Sequence, residues 1–121
     1  MQELHISDDK QLKEIKNEFN AHFPHLKIEF FSEEHHEGEG SSRKAMYDDT
    51  LLLRAIRKIH TEGNLSIDGH LKTVTFEDNF LKHFGVNVQV FRKSGRIWLQ
   101  TILTDNLTLS AQEHKGEEYD R

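Results

Sequence analysis

The sequence predicts a single α+β domain, residues 1–121, with the element order β-α-β-α-β-α-β-β-α. Runs with an apolar residue at every second position, typical of half-buried strands, alternate along the chain with runs whose apolar residues recur every three or four positions, typical of amphipathic helices. Glycine, proline or a capping residue stands where the period changes. These observations lead us to expect a mixed sheet covered by helices.

The N-terminal part is predicted to fold as strand, helix and strand. Leu4 and Ile6 alternate with polar neighbours as in a strand, and Ser7 can cap the helix that follows. Pro24 ends this helix because proline cannot continue the helical hydrogen bonds. The apolar stripe of the helix comprises Leu12, Ile15, Phe19 and Phe23, and the next strand alternates at Leu26, Ile28 and Phe30.

The middle of the chain is predicted to hold a mobile loop and then a helix. The loop spans residues 32–46, and residues 32–44 within it contain no apolar side chain. Asp48 or Asp49 can cap the helix, and Gly63 can end it. The inward-facing residues of this middle helix would be Leu52, Ala55, Ile56 and Ile59.

The second half begins with a predicted strand and helix. The strand alternates at Leu65 and Ile67. Residues 75–84 have helical periodicity and end at Gly85, which suits the left-handed closing residue of a helix.

A hairpin and a short helix are predicted to follow. Strands 86–91 and 97–102 are joined by a glycine-containing turn, because glycine permits the positive φ of tight hairpins. The final helix can be capped by Thr108 or Ser110. Residues 116–121 are polar enough to fray.

The second half repeats the pattern of the first. A shift of 61 residues places Leu4 on Leu65 and aligns the two helix ends as Phe-x-x-His-Phe. A duplicated β-α-β unit would explain the repeat and give the fold internal two-fold symmetry, but the shared periods alone also make apolar positions agree. Our first topology is ferredoxin-like, and the alternative is an open mixed sheet with helices on both faces.

The composition excludes several kinds of protein. No cysteine is present, so disulfides, thiolate nucleophiles and sulfur-based zinc sites are excluded. No apolar run approaches the ~18 residues of a membrane span, and the N-terminus lacks the pattern of a secretory signal. We therefore expect a cytoplasmic protein with no membrane partner.

The net charge of −5 is unevenly distributed. Residues 1–50 carry 6 basic and 12 acidic groups, residues 51–104 carry 8 and 4, and residues 105–121 carry 2 and 5. The basic centre can form a face for an anionic partner. The alternative is that acidic and basic parts face each other within the monomer or across a dimer.

Metal binding and catalysis have weak signals. The densest group among the nine histidines is residues 34–37 (EHHE) in a glycine-rich loop, whereas metal ligands usually lie on stiff elements. No nucleophile elbow, phosphate loop or dinucleotide-binding pattern is present, and the paired acids stand where helices begin. We predict no metal, no cofactor and no enzymatic activity; an enzyme would use His22 or His83.

Nucleic-acid binding is the alternative function, and its signal is a basic hairpin tip. Arg92, Lys93 and Arg96 lie close to Trp98 in the sequence, and a β-ribbon can enter the major groove with cations on phosphates. Basic hairpin tips also serve solubility and discourage edge pairing. The patch could be extended by Arg54, Arg57 and Lys58.

The absence of a catalytic motif, together with exposed strand edges and several aromatic residues, favours a non-catalytic binding or assembly module. Such a module would dock a protein partner on its sheet or dimerise through it. The partner is expected to be a protein, the chain itself or another.

Part of the chain resembles small conserved bacterial proteins of uncharacterised function. The resemblance is carried by residues 80–95, 98–101 and 104–109, and more weakly by residues 17–20 and 23–31. It covers chiefly the second half of the chain. It implies an intact domain but no activity and no site residue.

Overall fold

The computed structural model describes residues 2–32 and 45–118, and within them three α-helices and five strands form. The α+β class is confirmed. The strands are β1 (Glu3–Ile6), β2 (Leu26–Phe31), β3 (Gly63–Ser66), β4 (Asn87–Ser94) and β5 (Ile97–Gln100). The α-helices are α1 (Leu12–His22), α2 (Thr73–Phe84) and α3 (Leu109–Glu118), and 3₁₀ helices span Leu53–Ile56 and Ile102–Thr104.

The described strands form two antiparallel sheets in place of the single mixed sheet that we expected. One sheet pairs β1 with β3, and the other has the order β2-β4-β5. The ferredoxin-like topology needs both β-α-β units in one sheet, so it does not apply. The reason is that each strand of the first unit pairs with the corresponding strand of the second.

Corresponding residues of the two halves lie opposite each other in both sheets. Leu4 faces Leu65 in the β1–β3 pair, and the 61-residue shift relates these two positions. Glu29 faces Gln89 in the β2–β4 pair, and these positions correspond once the one-residue gap is included. A pseudo-two-fold axis therefore passes through both pairs, as the repeat in the sequence predicts.

The symmetry continues beyond the β-α-β units. In each half, a later segment returns to the start of the helix and forms backbone hydrogen bonds there. In the first matched pair, Leu12 N donates to Leu51 O (2.9 Å) and Thr73 N donates to Leu107 O (2.8 Å). In the second, Leu53 N donates to Lys10 O (2.8 Å) and Leu109 N donates to Leu71 O (2.9 Å). Each half is therefore a strand, a helix, a strand and a returning segment.

The predicted middle helix is wrong. Residues 49–62, all of which the structure describes, contain only the 3₁₀ helix Leu53–Ile56. The next residue, Arg57, is extended with φ −138° and ψ 154°. Its guanidinium bonds to Asp8 and to the carbonyl of Phe84, and these tertiary contacts hold the stretch out of a helix.

The burial of this stretch differs from the helical expectation as well. Leu53 is fully buried, whereas Leu52 and Ile56 are only half-buried. Ala55 and Ile59 are exposed. Leu53 fills the core position that Leu109 of α3 fills in the second half.

Helix α1 begins later than predicted. Gln11, rather than Ser7, is its N-cap, and Gln11 and Glu14 form a capping box. The Ser7 hydroxyl instead donates to the carboxylate of Asp9. In the turn between Ser7 and Gln11, the carbonyl of Lys10 accepts a hydrogen bond from the Leu53 amide of the returning segment.

The closing glycine and the hairpin are confirmed. Gly85 ends α2 with φ +72°, and Gly95 has φ +62° in the turn between β4 and β5. Helix α2 starts at Thr73, two residues earlier than predicted, and α3 remains helical through residues 116–118, which we expected to fray.

The expected loop 32–46 is only partly described, since residues 33–44 lie outside the described residues, as do residues 119–121. Its two described ends meet at the sheet. The Ser32 amide donates to the Ala45 carbonyl at 2.8 Å, and Met46 forms a bridge with Phe31.

The core lies between the two sheets and the helices and draws on both halves. Phe19 of α1 stacks on Phe76 of α2, with ring centroids 5.2 Å apart. Phe80 meets Phe76 and Phe30 edge-on at 5.9 Å and 5.7 Å. Burial of each phenylalanine contributes about 2–3 kcal/mol, so this cluster joins the halves strongly.

Candidate binding surface on the hairpin

The outer face of the three-stranded sheet carries the first candidate site. Because side chains alternate along a strand, Phe91 and Lys93 of β4 lie on the face opposite to the core residues Val88 and Val90. Trp98 pairs with Lys93 and therefore shares this outer face.

Lys27 of β2 completes the cluster. Its Nζ lies 5.3 Å from the ring centroid of Phe91 and 5.2 Å from that of Trp98, so the ammonium contacts both aromatic faces. It also lies 3.1 Å from Glu29, whose other carboxylate oxygen is 2.7 Å from Lys16. The buried Glu29 carboxylate is thus neutralised by two lysines.

These side chains border a depression of about 540 Å³, which we call the hairpin groove. It combines aromatic and aliphatic walls with the Arg96 cation and with the ion pair of Lys27 and Glu29. Arg96 and the apolar walls suit a partner segment with both apolar and acidic residues. The groove is lined, among others, by Lys27, Met46, Phe91, Arg96, Trp98 and Gln100.

Arg92 does not belong to this outer face. It pairs with Leu99 on the inner side, and its Nη1 donates to Gln112 Oε1 of α3 at 2.8 Å. Helix α3 approaches closely here, since a Cβ on Gly116 would lie 3.4 Å from Arg92 Cγ. Arg92 therefore holds α3 against the sheet, while Lys93, Arg96 and Trp98 remain on the hairpin.

Arg54, Arg57 and Lys58 do not extend the hairpin patch. Arg57 and Lys58 border a different pocket together with Asn87, the first residue of β4, whereas the hairpin tip follows the last residue of that strand. The eight residues of β4 separate the two places by roughly 20 Å. Arg54 is an exposed residue of the 3₁₀ helix.

Arg57 has a structural role. Its side chain is 0% exposed, and Nη1 donates to the carbonyls of Thr61 (2.7 Å) and Phe84 (3.0 Å). Its Nε donates to Asp8 at 2.9 Å, and Nη2 lies 2.8 Å from the same carboxylate as an ion pair without hydrogen-bond alignment. It therefore clamps the end of α2 to the turn after β1.

The pKa of Asp8 reflects this clamp. Partial burial opposes ionisation, but hydrogen bonds from Arg57 and His60, assisted by their positive charges, outweigh it. The pKa of Asp8 is held below its ordinary value of 3.8.

The edge of β5 forms a second exposed feature. Ile97 is 58% exposed and Leu99 40%, and both lie on the same side of the strand. Leu103, in the 3₁₀ helix that follows, is 93% exposed. Among the described strands only β4 pairs with β5, so these apolar side chains stand at a sheet edge.

Sequence reasoning missed Lys27 and Met46. Lys27 reaches the hairpin by pairing with Phe91, 64 residues later, and Met46 reaches it through a bridge to Phe31 of β2. The local pattern around them shows only a strand and a loop. The available signal was the alternation of β2, which puts Lys27 on the face opposite to Leu26 and Ile28. The register that brings it to Phe91 has no local signature.

The described residues contain neither a group of metal ligands nor a membrane-spanning helix. Within residues 2–32 and 45–118 no group of three or more His, Asp or Glu side chains is placed to hold a metal ion, and the cluster 34–37 lies outside them. His22 and His83 are exposed near the ends of α1 and α2. None of the described helices has the length and apolar character needed to cross a membrane.

Comparisons with protein-family models, with curated proteins and with solved structures give no match. The resemblance to small bacterial proteins therefore stays a prediction.

Proposed function

We propose that this chain is a non-catalytic binding or assembly module that docks a second protein chain on the edge of β5, and that its first partner is a second copy of itself. The observation that carries the proposal is the pair Ile97 and Leu99, which is exposed on an edge strand. Exposed apolar edges commonly pair with another chain unless they are blocked. A cytoplasmic location is part of the same proposal.

A second copy fits this edge because the apolar pair is self-complementary. Antiparallel pairing of β5 with its copy about a two-fold axis would bring Ile97 and Leu99 of each chain together and extend the three-stranded sheet to six strands.

The proposal is tested by light scattering coupled to size-exclusion chromatography. We expect a particle of twice the 14.2 kDa chain mass for the unmodified protein and a monomer for Leu99→Lys, because the lysines would repel each other across the axis. Leu51→Lys is the matched control, since Leu51 is 37% exposed on another part of the surface. A monomeric unmodified protein, or a Leu99→Lys variant that still dimerises, would contradict this interface.

Nucleic-acid binding is the second candidate, and the shared outer face of Lys27, Lys93, Arg96 and Trp98 supports it. Single-stranded nucleic acid is bound by aromatic stacking next to cations, and such binding weakens as salt rises. The test adds a mixed DNA and RNA oligonucleotide pool at low and at physiological salt. A shift that is lost in Lys27→Ala/Arg96→Ala but kept in the control Arg54→Ala/Lys58→Ala would favour this function over assembly.

A further inference from the structure

A second pocket lies at the opposite end of β4 from the hairpin groove. It has a volume of about 450 Å³, within the range of roughly 300–1,000 Å³ typical of small-molecule sites. Ser32 after β2, the returning segment around Ile59, and Gly85 with Val86 after α2 border it. We call it the corner pocket.

The pseudo-symmetry explains why this corner is open. In the second half, α3 closes the corresponding corner: a Cβ on Gly116 would lie 2.6 Å from His25 Cβ and 3.4 Å from Arg92 Cγ. In the repeat, Pro24-His25 corresponds to Gly85, and Arg92 corresponds to Ser32. Gly85 and Ser32 both border the corner pocket. The described chain after the 3₁₀ helix is extended, so it does not form a longer helix that would fill this corner as α3 fills the other.

The wall of the pocket combines apolar and polar side chains. Its apolar part includes Val86, which is buried, and Leu81 of α2, which is half-buried. Ile59 is 46% exposed and packs against Gly85, where a Cβ would lie 2.5 Å from Ile59 Cγ1. An apolar ligand of modest size would bury the exposed parts of Ile59 and Leu81.

The charges that the described residues bring to the pocket are all of one sign. Among the described residues that line it, Arg57 and Lys58 are the charged ones, and no carboxylate is among them. Arg57 is already neutralised by Asp8. Lys58 is exposed and forms no ion pair with any residue that the structure describes.

From this arrangement we propose that the corner pocket binds a small carboxylic acid with an aliphatic or aromatic body. The apolar body packs against Ile59, Leu81 and Val86, and the carboxylate pairs with the Lys58 ammonium at the rim. This site is distinct from the β5 edge, so it does not depend on the proposed function.

Octanoate serves as the probe, and octylammonium serves as the probe with the same tail and the opposite charge. Both are titrated into ¹⁵N-labelled protein, and amide shifts are followed by NMR. We expect saturable shifts at Ile59, Leu81 and Val86 with octanoate, and binding at least about five-fold weaker with octylammonium. Equal affinity for the two probes, no saturation, or shifts centred elsewhere would overturn the assignment.

Two variants locate the site. Ser32→Trp places a large side chain at an exposed position on the rim, so it should abolish octanoate binding while the spectrum of a folded protein remains. Lys58→Met should weaken octanoate binding about three- to five-fold, whereas the control Lys13→Met, at an exposed lysine of α1, should leave it unchanged. Unchanged binding in both pocket variants would refute the proposal.

Discussion

Replacement of the buried Arg57 by methionine should lower stability substantially, because this arginine joins the two halves. The change removes its bonds to Asp8, to the Thr61 carbonyl and to the Phe84 carbonyl. Water can reach Asp8 and the exposed Thr61, but the carbonyl of buried Phe84 loses a donor that water does not replace. We estimate a loss of about 3 kcal/mol for the set.

The assay is urea unfolding followed by circular dichroism at pH 7. With a denaturant slope of about 1.5 kcal/mol/M, the midpoint should fall by roughly 2 M. Arg54→Met is the matched control, since Arg54 is exposed and its substitution should change stability by less than about 0.5 kcal/mol. A midpoint for Arg57→Met within about 0.3 M of the unmodified protein would refute the clamp.

The same clamp predicts a pH dependence. Since the folded pKa of Asp8 lies below 3.8, the carboxylate stabilises the fold above that value, and this contribution is lost as pH falls through the folded pKa. The difference in stability between the unmodified protein and Asp8→Asn should therefore shrink as pH falls below 3.8. A difference that persists undiminished at the lowest pH at which both proteins fold would contradict the contribution of the ionised group.

Four further substitutions test the packing and the buried hydrogen bonds. Gly85→Ala should lower the free energy of unfolding by about 2 kcal/mol and Gly95→Ala by about 1 kcal/mol. Both glycines have positive φ, but only at Gly85 would the new Cβ also press against Ile59. Equal losses of stability in a thermal melt would contradict the contact with Ile59. Phe19→Ala should cost about 3–5 kcal/mol through its cavity in the core, measured by urea unfolding. Glu77→Leu should cost about 1–3 kcal/mol because the Val90 amide loses its carboxylate acceptor at 2.8 Å, and faster hydrogen exchange at Val90 would confirm it.

The parts of the fold that sequence predicted are those with local causes. Gly85 and the turn at Gly95 each need a positive φ, which glycine supplies at little cost, and alternating residues mark the strands wherever they pair. The 61-residue repeat also predicted the internal symmetry, because equal periods there reflect corresponding elements.

The predictions that were wrong failed because of contacts between residues that are distant in the sequence. The apolar spacing of residues 52–59 is compatible with a helix, but the anchoring of Arg57 and the hydrogen bonds of the returning segment extend the chain instead. Arg92 was expected at an exposed tip and is held by Gln112, a contact between residues 20 apart that no local pattern encodes. The candidate site was located only in part for the same reason, since Lys27 reaches the hairpin by long-range pairing.

The pairing of Leu4 with Leu65 and of Glu29 with Gln89 has a consequence for the nascent chain. Among the described strands, β1 pairs only with β3 and β2 only with β4, some 60 residues later, so neither half completes a sheet while the ribosome still holds the other. A chain paused at Gly63 would expose two unpaired strands together with the apolar stripe of α1. We therefore expect both sheets to form only after β4 has left the ribosomal exit tunnel. A chaperone that shields β1 and β2 until then should raise the yield of folded protein.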